Sequence, residues 1–270
     1  MRVRQLRSTQ VLNHNHHRLD PFGLEVRADK TGEDIRQLKP DRVRDLILEQ
    51  RVLVFRNFAP LLGKDFPEFC SGFGEVLQFD YGVVNELRSV MEPTNYLYTN
   101  SEVPFHWDGA FIGRVPRYIF FHCDEAPPFG SGGETLFSDT TLILNSADPE
   151  LITEWTKTNV RYSTEKIVHY GGTFTSPVLA THPETGQMVI RFAEPVVDLN
   201  PVDLVIDGMT TARQSAFIAD MHKRLHASDV CYRHQWQAGD LVIADNNALL
   251  HGRRRFEPNA ARRIRRVNVQ

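Results

Sequence analysis

GDLVIADNNALLHGRRRF, residues 239–256, and PFHWDGAF, residues 104–111, are the two stretches on which the reading of this 270-residue chain turns. The first is an apolar strand-like run, a polar break, and a second run that carries His251 and ends in arginines. The second places His106 and Asp108 two residues apart. In an extended segment residues i and i+2 point to the same face, so these two side chains can grip one ion side by side. A distant strand must then bring His251, 251 − 108 = 143 positions further on, to complete the set. Two imidazoles and one carboxylate on one face of an octahedron leave three positions free, the arrangement used by non-haem Fe(II) oxygenases. His106, Asp108 and His251 are therefore expected to be iron ligands.

Working outward, residues 41–50 place Val43, Leu46 and Ile47 at helical spacing with Asp41 as N-cap, and residues 51–58 follow as a β-rich run. A second amphipathic helix is expected to carry Phe66, Phe69, Cys70 and Phe73, with Gly74 near its end. Beyond it, RYIFFHCDEA alternates Tyr118, Phe120 and His122 against Ile119, Phe121 and Cys123. SPVLATH and QMVIRFA flank a turn at residues 183–186. A helix is expected to align Phe217, Met221 and Leu225, and GDLVIADNNALLHG and RRIRRVNV read as closing strands. No repeat or low-complexity linker divides the chain. The pattern predicts one domain over residues 1–270, mainly β with flanking helices: a double-stranded β-helix, or cupin-type jelly roll, whose open mouth can hold a metal and small ligands. Residues 1–20, with His14, His16 and His17, are expected to form a flexible surface segment.

Composition narrows the partners. Formal charge is −3 with a pI near 6.4, so no global basic field favours nucleic acid or an anionic membrane. No apolar run reaches the ~18–20 residues of a spanning helix, and MRVRQLRSTQ lacks the apolar stretch of a secretory signal. Cys70, Cys123 and Cys231 are scattered and odd in number, making neither a disulfide framework nor a zinc cluster. Reduced thiols suit Fe(II), and the cytoplasm is the expected compartment. A small-molecule substrate is the expected partner, a second copy of the chain being compatible with the sequence.

Five segments resemble, in order, the taurine dioxygenase family of Fe(II)/2-oxoglutarate-dependent oxygenases: RVLVFRNF with FPEFCSGFGEV, PFHWDGAF, GSGGETLFSD, SPVLATHPETG, and WQAGDLVIADNNALLHGRRRF with RRIRR. The resemblance implies iron at His106, Asp108 and His251, with 2-oxoglutarate and O2 as co-substrates. It implies that Thr135 and Arg262 contact 2-oxoglutarate, Arg262 lying 262 − 251 = 11 residues after the last ligand. Arg266, four further on and on the same strand face, would meet the substrate's anionic group; a guanidinium fork suits a carboxylate better than an ammonium. The position of Glu102, where the taurine enzyme carries an amide, speaks against taurine. With Glu102, Phe105 and Trp107 expected in the substrate pocket, and Tyr96, Tyr98 and Phe111 nearby, a small aromatic carboxylate is expected. HWDGAF and FFHCDEAPP are similar to the branch that oxidises tyrosine-derived isonitriles in bacterial natural-product pathways, by hydroxylation or desaturation. Asp108 argues against halogenation, since halogenating relatives replace that carboxylate with a small residue.

Each reading has a rival. Two histidines and an aspartate also suit a zinc hydrolase, and a non-catalytic sensor of iron and 2-oxoglutarate would use the same residues. Arg253, Arg254 and Arg265 read as structural or solvated rather than as a nucleic-acid patch. FGSGGE lacks the Lys-Ser/Thr ending of a phosphate loop. His122, His169, His182, His222, His226 and His234 take structural readings, His182 as a shaper of its turn.

Overall fold

Tyr118 and Phe120 pack on one side of their strand, Ile119, Phe121 and Cys123 on the other, and the two sets belong to different cores. The computed structural model describes residue 12, residues 14–167 and residues 170–270. The expectations for MRVRQLRSTQ and His169 lie outside the described residues. From the N-terminus the chain runs through β1 (Asn15–Arg18), β2 (Leu24–Arg27), α1 (Pro40–Gln50), β3 (Val52–Arg56), α2 (Asp65–Ser71), β4 (Asn85–Leu87), β5 (Val103–His106), β6 (Tyr118–Glu125), β7 (Thr135–Asp139), α3 (Thr140–Ser146) and α4 (Pro149–Trp155). It continues through β8 (Asn159–Ile167), β9 (Tyr170–Pro177), β10 (Leu179–Thr181), β11 (Met188–Ile190), β12 (Asp203–Ile206), α5 (Thr211–Leu225), β13 (Cys231–His234), β14 (Leu241–Asp245), β15 (Leu249–Arg253) and β16 (Arg263–Val269).

Two sheets make the jelly roll. The larger has the order β1-β2-β3-β14-β6-β16-β4, the smaller β13-β7-β15-β5. Between them lies a core of Val52, Val54, Phe121, Val242 and Ile264 from the larger sheet with Phe137, Tyr232 and Leu249 from the smaller. The outer face of the larger sheet packs Phe55, Phe120, Ile243 and Val267 against Val43, Ile47, Phe66 and Phe69 of α1 and α2. The outer face of the smaller sheet packs Phe105, Leu136 and Leu250 against α5 and the three-stranded sheet β12-β8-β9. Phe217, Met221 and Leu225 of α5 are all buried there, as their four-residue spacing predicts. Full burial of such a side chain contributes about 1.5–3 kcal/mol, more than the spread of ordinary helix propensities, so packing fixes this helix.

Two local expectations need correction. α1 begins at Pro40 with Lys39 at the cap position; Asp41 sits in the first turn and accepts from Arg44 at 2.6 Å. Proline at the first helical position loses no hydrogen bond, which makes it the better starter. Residues 15–18 form β1, paired antiparallel with β2, rather than a loose segment. His14 and His17 there lie beside Glu33 and Glu25.

His182 organises its hairpin as expected and does more. Its Nδ1 accepts from the backbone N–H groups of Glu184 and Thr185, so its Nε2 carries the proton donated to Asp245 at 3.0 Å. Asp245 also accepts from Arg51 at 3.1 Å and from the N–H of Asn247 at 3.0 Å, in a fully buried network at the end of β14. Asp245→Ala should lower stability by about 3–5 kcal/mol, because it leaves the Arg51 charge buried without its partner. Urea denaturation followed by circular dichroism measures this; a loss under 1 kcal/mol would show that water reaches Arg51.

Candidate active site

β5 and β15 are neighbours, and their register sets His251 directly opposite His106. The two imidazole centroids are 4.3 Å apart. Asp108 follows β5, its Oδ1 3.7 Å from His106 Nε2 and 3.8 Å from His251 Nε2. One donor atom from each of the three lies within 4.8 Å of the others. The residues expected to share a metal thus converge in the space between the sheets. Gly109, at φ +97°, turns the chain away after Asp108; a Cβ there would meet Arg114 O at 2.3 Å, so no other residue fits.

Each donor is prepared for a cation. His106 Nδ1 lies 2.9 Å from Pro104 O, which can only accept, so Nδ1 carries the proton and Nε2 keeps its lone pair. Burial pushes the His106 pKa down despite Asp108, and burial together with His106 holds His251 well below the ordinary imidazole value. Burial works against the charge on Asp108, but Arg266, His251, His106 and Asn268 outweigh it and its pKa is lowered. Asn268 donates to Asp108 Oδ2 at 3.0 Å, and Arg266 Nη1 lies 3.1 Å from Oδ1. Asn246 clamps the Asp108 peptide: its Oδ1 accepts from the Asp108 N–H at 3.0 Å and its Nδ2 donates to the Asp108 carbonyl at 3.1 Å.

Thr135, opposite Arg253 on β7, accepts from Trp236 Nε1 at 3.0 Å and from Arg262 Nη2 at 3.4 Å. Arg262 also donates to Gly133 O at 3.0 Å and lies over the Phe256 ring. Its Nη1 is buried with no hydrogen-bond partner among the described residues. Burial lowers its pKa to about 10, with only the Cys123 thiol working the other way. A buried guanidinium lacking an acidic partner fits an anion from outside the chain.

A cavity of about 420 Å³ opens over His106 and Asp108, walled by Tyr96, Trp107, Phe111, Tyr162, Phe174 and Arg266 among others. Tyr162 and Phe174 stack with centroids 5.0 Å apart, and Trp107 meets Phe174 edge-on. Trp107 therefore lies where the sequence places it. Glu102 and Phe105 do not. Between His251 and Arg253 the ladder shifts, so that Arg253 pairs with Val103 and β5 holds one extra residue. Such a bulge reverses the strand's facing. Glu102 is exposed and borders a separate hollow with Arg233 and Arg254, while Phe105 is buried in the outer core against His226. Arg266 reaches the cavity but is engaged by Asp108. Of Arg253, Arg254 and Arg265, Arg254 is exposed and the other two are structural: Arg253 donates to the carbonyls of Leu97, Thr99 and Ser101, Arg265 to Asp124. Sequence reading missed Asn246, Asn268, Tyr162 and Phe174. The Asn246–Asn247 pair directly after a strand was the one local signal, as a tight polar turn.

The fold and this convergence define a class, and the comparisons agree: the chain belongs to the family described as taurine catabolism dioxygenase TauD, TfdA family, matched over residues 15–268. It is 42% identical over 255 residues to the 3-((Z)-2-isocyanoethenyl)-1H-indole synthase of Fischerella ambigua, 93% of either chain being covered. It is 32% identical to the tyrosine isonitrile desaturase of Pseudomonas aeruginosa, over 92% of this chain and 87% of that one. The crystal structure of PvcB from P. aeruginosa superimposes with a TM-score of 0.82 at 29% identity, covering 100% of this chain and 95% of the other. A second structure of PvcB describes it as an Fe, alpha-ketoglutarate dependent oxygenase from an isonitrile synthetic pathway.

Removing the peptide clamp should be felt at the metal site. Asn246→Ala is expected to weaken Fe(II) binding about 10- to 100-fold, the usual cost of losing a group that orients a ligand, with a native circular dichroism spectrum. Anaerobic equilibrium dialysis against Fe(II) reads it; unchanged affinity would show that Arg266 and Asn268 hold Asp108 unaided.

Proposed function

We propose that the protein is an Fe(II)- and 2-oxoglutarate-dependent oxygenase that desaturates the side chain of a small, carboxylate-bearing aromatic isonitrile. The observation that carries this is the three-donor cluster of His106, Asp108 and His251 at the foot of an aromatic-walled cavity. The names of the two relatives supply the isonitrile and favour desaturation over hydroxylation.

The donor set fits iron: two neutral imidazoles and a carboxylate whose Oδ1 faces both rings. Iron bound with 2-oxoglutarate and O2 supplies an oxidant able to break an unactivated C–H bond. The rest is the work of the chain. Arg262 Nη1 is free to take the far carboxylate of 2-oxoglutarate, and Thr135, whose hydroxyl already accepts from Trp236 and Arg262, has its proton left to donate to the same group. Trp107, Tyr162 and Phe174 hold the substrate's ring and keep water from the reacting carbon. Arg266 anchors Asp108 through Nη1 and lines the cavity, where its charge can meet the substrate carboxylate. In the overall reaction the substrate gives up two hydrogens, one O2 oxygen enters succinate and the other leaves in water, and 2-oxoglutarate releases CO2. We assign the cytoplasm as its place of work; no described helix is long and apolar enough to cross a membrane.

The decisive experiment loads the protein with Fe(II) and 2-oxoglutarate without oxygen, adds the α-isocyano acid of tyrosine or tryptophan, and admits air. Stoichiometric succinate with a product two hydrogens lighter, with or without loss of the carboxylate, is expected. Succinate absent with both compounds would favour a sensor, and turnover with Zn(II) under nitrogen a hydrolase. Arg262→Leu should raise the 2-oxoglutarate KM about 30- to 700-fold, corresponding to 2–4 kcal/mol for a charge-assisted contact, without lowering thermal stability. An unchanged KM would assign the co-substrate to another cation.

A further inference from the structure

We propose that Glu194, His222 and His226 form a second metal site, taking a divalent ion of the zinc class, beside the strand that presents His106. His222 and His226 stand one turn apart near the end of α5, on one face of the helix, with ring centroids 4.1 Å apart. Glu194 Oε1 lies 2.6 Å from His222 Nδ1 and 3.3 Å from His226 Nε2, and the three donors lie within 4.8 Å of one another. Adjacent ligands around a tetrahedral ion with bonds near 2 Å are about 3.3 Å apart; Glu194 and His226 stand at that spacing, and an ion entering would replace the direct hydrogen bond between Glu194 and His222.

The surroundings of the ligands favour a built site over a chance ion pair. Glu194 is nearly buried, and its Oε2 accepts from the Phe105 N–H at 2.8 Å while its own N–H donates to Phe105 O at 2.9 Å. That fixes the carboxylate with Oε1 turned to the imidazoles. The Phe105 ring meets His226 edge-on at 4.7 Å and sets its tilt. Carboxylate orientation by a backbone donor and imidazole orientation by packing are what a metal site requires of its neighbours. The His222 side chain is 60% exposed, which gives an ion its way in and leaves a fourth position to water. Two imidazoles and one carboxylate suit Zn(II) and Co(II) better than the hard ions Mg(II) and Ca(II). An ion there joins α5 to Phe105, the residue before His106. The site thus braces the strand that carries the catalytic ligand, and it stands independently of the substrate assigned above.

The test uses untagged protein carrying His251→Ala, which breaks the catalytic donor set. Dialysis against Zn(II) should leave one equivalent bound, and Co(II) should give the intense visible bands of tetrahedral coordination. Zn(II) should raise the thermal midpoint by several degrees. Adding His222→Ala, a change at an exposed side chain, should abolish the bound equivalent, the bands and the thermal shift while circular dichroism stays native. Glu194→Gln on the same background should do likewise. Absence of metal in His251→Ala, or binding that survives both added substitutions, would overturn the proposal and leave a hydrogen-bonded tether in its place.

Discussion

The register between β5 and β15 is the constraint from which the site follows. Side chains alternate with a period of two, so a slip of one residue would turn His251 out of the space between the sheets. Three features hold the register. The extra residue in β5 gives the pairing a landmark, with Arg253 opposite Val103 and His251 opposite His106. Gly252 lets the strands close at that point, since a Cβ there would meet Val103 O at 2.7 Å. Arg253, nearly buried, gathers the carbonyls of the loop leading into β5. Burial lowers its pKa to about 9, a cost that these carbonyl contacts offset.

Charge is distributed with similar economy. Arg266 and Arg262 are both buried, yet their surroundings differ. Burial opposes the charge of Arg266, but Asp108 and Tyr81 outweigh it and its pKa is raised. Arg262 has carbonyl, hydroxyl and ring contacts and, among the described residues, no carboxylate. One cation thus neutralises a group the chain supplies, and the other has no acidic partner among the described residues.

Most of the framework was legible because it rests on short-range periodicity. The alternation in residues 118–123, the four-residue spacing of Phe217, Met221 and Leu225, and the two-residue step from His106 to Asp108 are local patterns, and each predicts its facing. Glu102 was misread for a physical reason: four residues before His106 means the same face only on a regular strand, and a bulge has no local signature here. Phe105 was misread although the alternation that joins His106 to Asp108 turns it to the opposite face; its aromatic character was weighed above its position. Asn246 and Asn268 were out of reach, since their partner Asp108 is more than a hundred residues away in sequence. The i, i+4 pair of His222 and His226 was visible as a spacing, but its meaning depends on Glu194, brought in from a loop.

The unpartnered nitrogen of Arg262 has a consequence for the protein's lifetime as well as its chemistry. Desolvating a lone guanidinium weakens the native state, and an anion that binds only the folded chain returns that loss as stability, about 2.7 kcal/mol at a concentration a hundredfold above its dissociation constant. With Arg262 in its proposed role, resistance to proteolysis would rise and fall with the supply of 2-oxoglutarate. A cell short of co-substrate would not merely idle this protein; it would hold less of it.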